Sequence, residues 1–135
     1  MIESPRNARV KEVRKLAQKS ERQETGLFVI EGPQAVREAL VSRPELIEEL
    51  FVTPTALERH SELRGLAEDA QLEVAFASEE AIDAMADTRT PQGVIAVCRQ
   101  FPSSIRDALS GSPKLVAILE EVRDTGNLGT IIRAA

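Results

Sequence analysis

Two periods of hydrophobicity run through the chain. Over residues 7–22, Val10, Val13, Leu16 and Ala17 recur at helical spacing, with Lys11, Arg14, Lys15, Gln18 and Arg22 on the opposite side. That pattern predicts an amphipathic helix. Residues 26–32 form a short apolar run between Gly26 and Gly32, the pattern of a buried strand. Pro33 then stands where a helix favours its first residue, and Val36, Ala39 and Leu40 give 33–43 an apolar stripe. A second strand is predicted over 47–53, a helix over 54–70, a third strand over 72–77 and a short helix over 78–86 capped by Ser78. A polar loop, 87–93, precedes a β-branched fourth strand at 94–100.

Beyond a Pro- and Gly-marked stretch, 114–122 is continuously apolar, as in a parallel strand covered on both faces. Alternating strands and helices predict an α/β fold with a layered sheet. Residues 1–100 supply enough strand–helix units for a self-contained domain, 101–112 read as a linker, and 113–135 as the opening βα unit of a second domain. One such unit cannot bury both of its faces alone, so this part is expected to be the first fragment of something larger.

Composition narrows the class. The 135 residues are 42% apolar with four Phe and no Trp or Tyr, so the core rests on aliphatic side chains. No apolar run approaches the ~18 residues of a membrane span, and the polar, basic N-terminus is unlike a signal peptide. A single Cys, Cys98, excludes an intrachain disulfide, and with one His it cannot build an ordinary zinc site. These features predict a soluble cytoplasmic protein without a metal. The net charge of −5 argues against indiscriminate nucleic-acid binding. Yet residues 1–24 hold seven Lys/Arg against four Glu, leaving the acid excess in the remainder. A basic arm on an acidic body points to directed contact with a polyanion.

Chemistry concentrates at the closing stretch DTGNLGTIIRAA, residues 124–135. A buried strand ends just before it, and ligands of open α/β sheets bind outside such strand ends. Gly126 and Gly129 permit a tight turn, and the helix after it aims N–H groups toward the loop. Spacing alone favours an ordinary βα turn, since G-x-x-G matches neither the P-loop nor the G-x-G-x-x-G fingerprint.

The stretch resembles the first motif of the SpoU/TrmH branch of the SPOUT RNA methyltransferases, D-P-x-N-x-G-[AST]-I-[ILV]-R-[ST/A]-A. Asp124, Asn127, Gly129, Ile131, Arg133 and Ala135 match, while Thr125 stands where the family usually has proline. Upstream, SPRNARVKEVRKL, LFVIEGPQAVREAL and TRTPQGVIAV are similar, in order and spacing, to the N-terminal substrate-binding domain of many members. The resemblance implies a small mixed-sheet α/β sandwich of the ribosomal-protein type that binds kinked or looped RNA. A linker and the first βα unit of a truncated SPOUT knot domain would follow it. It also implies a parent enzyme that 2′-O-methylates RNA ribose with S-adenosylmethionine, ribosomal RNA being the expected target by analogy.

Residue by residue, the resemblance places Asn127 and Arg133 at the transfer site. Arg133 is read as an electrostatic or phosphate-orienting group, because guanidinium is not deprotonated in proteins. The family's other cofactor motifs would lie after Ala135, so these residues alone are expected neither to bind S-adenosylmethionine nor to methylate RNA. The parent is expected to be a homodimer through its knotted domain.

RNA contacts are expected first from Lys11, Arg14, Lys15 and Arg22, with Arg6, Asn7 and Arg9 just before them. Arg89, Thr90 and Gln92 of the polar loop are the second group, suited to phosphates or splayed bases. The plain alternatives are solvated helix charges and a turn setting up the next strand. Glu31 reads as part of a strand–helix turn, His60 as a surface residue and Cys98 as core. Two rivals differ in class. One is a non-catalytic RNA-binding adaptor, which has no use for the closing stretch. The other is a nucleotide-binding protein, which lacks the lysine and glycines that phosphate cradling needs.

Overall fold

A computed structural model describes residues 1–89 and 91–100. The linker, the strand predicted over 114–122, the closing stretch with Asn127 and Arg133, and Thr90 of the polar loop lie outside the described residues. Within them the chain folds as α1 (Ala8–Lys15), α2 (Lys19–Thr25), β1 (Leu27–Glu31), α3 (Pro33–Ser42), β2 (Ile47–Val52), α4 (Pro54–Arg59), α5 (Glu62–Asp69), β3 (Val74–Phe76), α6 (Glu79–Met85) and β4 (Val94–Arg99). A 3-10 turn, Pro44–Leu46, leads into β2.

The four strands form one mixed sheet in the order β1-β4-β2-β3. β4 is antiparallel to both β1 and β2, and β2 runs parallel to β3. Helices cover both faces. Val94, Ala96 and Cys98 of β4 pack with Val36 and Leu40 of α3, Leu57 of α4 and Leu63 of α5. Ile95 and Val97 pack on the other side with Val10 and Val13 of α1 and Ile82 and Met85 of α6. A strand buried on both faces needs an unbroken apolar run, and VIAVC provides it. Its period of two divides the side chains between the layers.

Two helices predicted as continuous are each broken, for a physical reason. The stripe of α1 ends at Leu16, and no residue of α2 is buried, so nothing holds the second helix in line with the first. Ala17, expected on the buried face, is exposed. The stretch 54–70 bends at His60, whose φ of −123° and ψ of 60° leave the helical region. Leu57 and Leu63 are both buried, yet six residues place them roughly 120° apart around a straight helix. The bend returns both to one core.

Topology gathers the loops. β1, β2 and β3 all end at one edge of the sheet, where β4 begins, as the pairings Glu31↔Ile95, Val52↔Val94 and Val52↔Phe76 require. The turns into α3, α4 and α6 and the loop 87–93 therefore meet there.

Candidate nucleic-acid interface

At that edge the polar loop is tied down at both ends. The Asp87 backbone N–H donates to Glu31 Oε1 at 2.5 Å, and the Asp87 carboxylate accepts from Arg14 Nη1 of α1 at 3.1 Å. At the other end Gly93 accepts from the Thr53 N–H at 3.0 Å. Gly93 has φ +78°, and a Cβ there would lie 2.7 Å from Thr53 Oγ1 and 2.9 Å from Ala56 Cβ. Glycine is required on both counts. Gly32, at φ +94°, leaves room for the Gln92 side chain, whose Oε1 is 4.0 Å from the position a Cβ would take. Glu31, read from sequence as part of a turn, is thus the anchor of the loop's first residue.

The cations of the N-terminal arm, uniform in sequence, divide in structure. Asn7 caps α1, its Oδ1 accepting from the Arg9 N–H at 2.8 Å. Arg9 is half-buried and ion-paired with Glu12 and with Glu49 of β2. Arg22 donates to the carbonyls of Leu16 and Ala17 at 2.9 and 2.8 Å, satisfying groups left open where α1 ends. Arg14 latches the loop through Asp87. Lys11 and Lys15, exposed and one turn apart on either side of Arg14, make no side-chain hydrogen bond or ion pair among the described residues, and neither do Arg6 and Lys19. On the body Arg37, Arg43 and Arg99 are paired with Glu62, Glu45 and Glu48, whereas the exposed side chains of Arg59 and Arg64 have no partner among the described residues.

Two adjacent like charges on a helix cost a few tenths of a kcal/mol. Lys11 and Lys15 accept that cost with no internal anion among the described residues to relieve it, and Arg14, on the flank of their face, joins the helix to the loop through Asp87. Arg89 is exposed and likewise unpaired among the described residues, and Gln92 is exposed next to Gly93. Of the sequence-predicted residues, Arg14 through Asp87, and Arg89 and Gln92 within the loop, lie at this edge, while Lys11 and Lys15 are exposed on the same helix as Arg14. Sequence reading passed over Lys19, an exposed cation at the start of α2, and Arg59 at the end of α4.

No proton-transfer centre emerges from the titratable groups of the described residues. Glu62 is held below the usual carboxylate range by its own backbone N–H and by Arg37, and Glu45 by Arg43. Burial pushes the Cys98 thiol up to about 11, in keeping with a core residue. The described residues also do not fit S-adenosylmethionine. The larger cleft, about 410 Å³, is rimmed by exposed Met1, Pro54, Glu58, Ser61 and Arg64. A cofactor carrying an adenine, a sulfonium and an amino acid needs enclosure that such a rim does not supply. No helix among them is long and apolar enough to cross a membrane.

Comparison with known proteins identifies the family. The MRM3-like substrate binding domain family matches residues 7–96. The chain is 37% identical over 139 residues to the 23S rRNA (guanosine(2553)-2′-O)-methyltransferase RlmP of Bacillus subtilis, covering 99% of this chain and 49% of that protein. An AdoMet-bound rRNA methyltransferase from Sinorhizobium meliloti superposes with a TM-score of 0.61 at 27% identity, covering 78% of this chain and 38% of that one. The fold is shared with an RNA 2′-O ribose methyltransferase at a TM-score of 0.69 and 24% identity, over 98% of this chain and 50% of that one. The chain spans about half the length of the curated relatives RlmP and slr1673 that it matches. It belongs to the family of MRM3-like substrate-binding domains, homologous to the TrmH/SpoU-type rRNA 2′-O-methyltransferases.

Proposed function

We propose that residues 1–100 are the RNA-recognition domain of an S-adenosylmethionine-dependent ribosomal-RNA 2′-O-methyltransferase. The observation that carries this is the unpaired cation face of Lys11 and Lys15, latched by Arg14 to the loop 87–93, in a domain whose relatives modify rRNA. Phosphate contacts from flexible, hydrated lysines give affinity and register, while the adjoining loop meets bases. The acidic body supports the same reading, because it repels RNA laid elsewhere and confines the polyanion to this edge.

Asn127 and Arg133, outside the described residues, belong in this reading to the transfer site of the parent, with 101–112 as linker and 113–135 opening the transfer domain. The parent is homodimeric through that domain. S-adenosylmethionine supplies the methyl group when bound there. The part of this chain is to hold the RNA, and Arg133 would keep a positive charge beside the reacting ribose, a role its guanidinium can fill and proton abstraction is not. In this reading these 135 residues alone bind RNA and transfer nothing.

The test is fluorescence anisotropy of a labelled ribosomal-RNA loop fragment against the chain and its Lys11→Glu/Lys15→Glu variant. Charge reversal should weaken binding at least roughly tenfold at low salt and reduce the slope of log K against log salt by about 1.4 or more. Both residues are exposed, so the circular dichroism spectrum should not change. Unaltered affinity and slope would remove this face as the contact.

A further inference from the structure

At the far end of the loop that Arg14 holds through Asp87 lies a second, smaller cleft, of about 200 Å³, between α4, α6 and the segment 91–93. Its scale is that of one nucleobase. Ala56 and Ile82, both buried, form its apolar floor. Its rim carries Arg59, Glu79, Asp83 and Gln92, and none of these side chains has a hydrogen-bond or ion-pair partner among the described residues. Glu79 and Asp83 are one turn apart on α6 and so share a helix face. The rigid packing of Gly93 on Thr53 and Ala56 fixes the loop side of the cleft.

This composition is wrong for a phosphate. Two carboxylates against one guanidinium repel an anion, although the loop that lines the cleft is held at its other end by the basic helix. It suits a neutral ring: apolar floor, unused acceptors on one side, unused donors on another. Among the four bases only guanine offers two adjacent donors, N1–H and the 2-amino group, to a single carboxylate. Adenine and cytosine set an acceptor beside their amino group, and uracil flanks its N–H with carbonyls. Arg59 and the Gln92 amide can donate to the guanine O6 side.

We propose that this cleft is a base-reading pocket that takes an unpaired, splayed guanine, with Glu79 and Asp83 as its specificity-determining acceptors. The proposal rests on the RNA-recognition reading above and deepens it. RNA held by Lys11 and Lys15 places one flipped base over the cleft, where selection depends on hydrogen bonds and not on charge.

The sign of one mutation separates the two layers. Glu79→Gln/Asp83→Asn removes two negative charges, so if the carboxylates only shape the field, every RNA should bind more tightly. If they read guanine, the guanine ligand alone should bind more weakly. The probes are labelled heptamers of three uridines, one variable nucleotide and three uridines, titrated against the full chain with guanosine, inosine, adenosine, cytidine or uridine at the centre. Guanosine is expected to bind at least roughly fivefold tighter than adenosine or uridine, with inosine, which lacks the 2-amino group, in between. In the double variant the five probes should converge, with the circular dichroism spectrum unchanged. Equal affinity for all five in the wild type, or a guanosine preference that survives the double variant, would overturn the pocket and leave salt-dependent RNA binding standing. Absence of salt-dependent binding by any probe would instead overturn the recognition reading beneath it, and the pocket with it.

Discussion

Seven cations crowd the first 24 residues, and what each does depends on partners distant in sequence. Arg9 is claimed by Glu49, forty residues on, and Arg14 by Asp87, seventy-three residues on. Arg22 serves the carbonyls that end α1. No pattern of charge along the chain distinguishes these from Lys11 and Lys15, because helical spacing says which side a residue faces and not what waits there. The distinction is measurable. Arg22→Ala should lower the unfolding free energy by about 1–2 kcal/mol, since two carbonyls lose a charged donor. Its effect on RNA affinity should be smaller than that of Lys11→Glu. Urea unfolding beside anisotropy titration checks both, and the reverse ranking would return Arg22 to the interface.

Helix and strand identity was legible wherever apolar spacing was regular. The β-branched VIAVC run announced a strand, and the Ser78 cap and the prolines at 33 and 54 marked helix starts where they occur. Where helices break was not legible, because the breaks at 16–18 and at His60 follow from which core each turn must face. The same limit applies to the loop 87–93. Its glycine looked like turn punctuation, whereas in the fold Gly93 is where loop, β2 and α4 close against one another. Gly93→Ala must accept a left-handed φ and a contact of 2.7 Å to Thr53 Oγ1. We expect a loss of roughly 2–4 kcal/mol in denaturant unfolding, from strain and overpacking together. A change within about 0.5 kcal/mol, typical of ordinary surface positions, would mean the loop is not fixed there.

At the scale of the molecule, the sheet order decides what the site contains. With β4 inserted between β1 and β2, the turn after Glu31, the cap at Thr53, the start of α6 and the loop 87–93 converge, although they span sixty residues of chain. The sequence held every piece of this edge and the two candidate groups that flank it. It did not hold their adjacency, nor the cleft between α4 and α6, because both arise from strand order. An acidic body that carries the unpaired lysines of α1 makes a directional prediction about where RNA lies. The most direct measurement is photo-cross-linking of 4-thiouridine-substituted ribosomal-RNA fragment to the chain, with adducts mapped by peptide mass spectrometry. Adducts should concentrate in residues 6–19 and in 79–93, at the edge where β4 begins. Adducts concentrated instead on α3 and α5, across the other face of the sheet, would contradict the account.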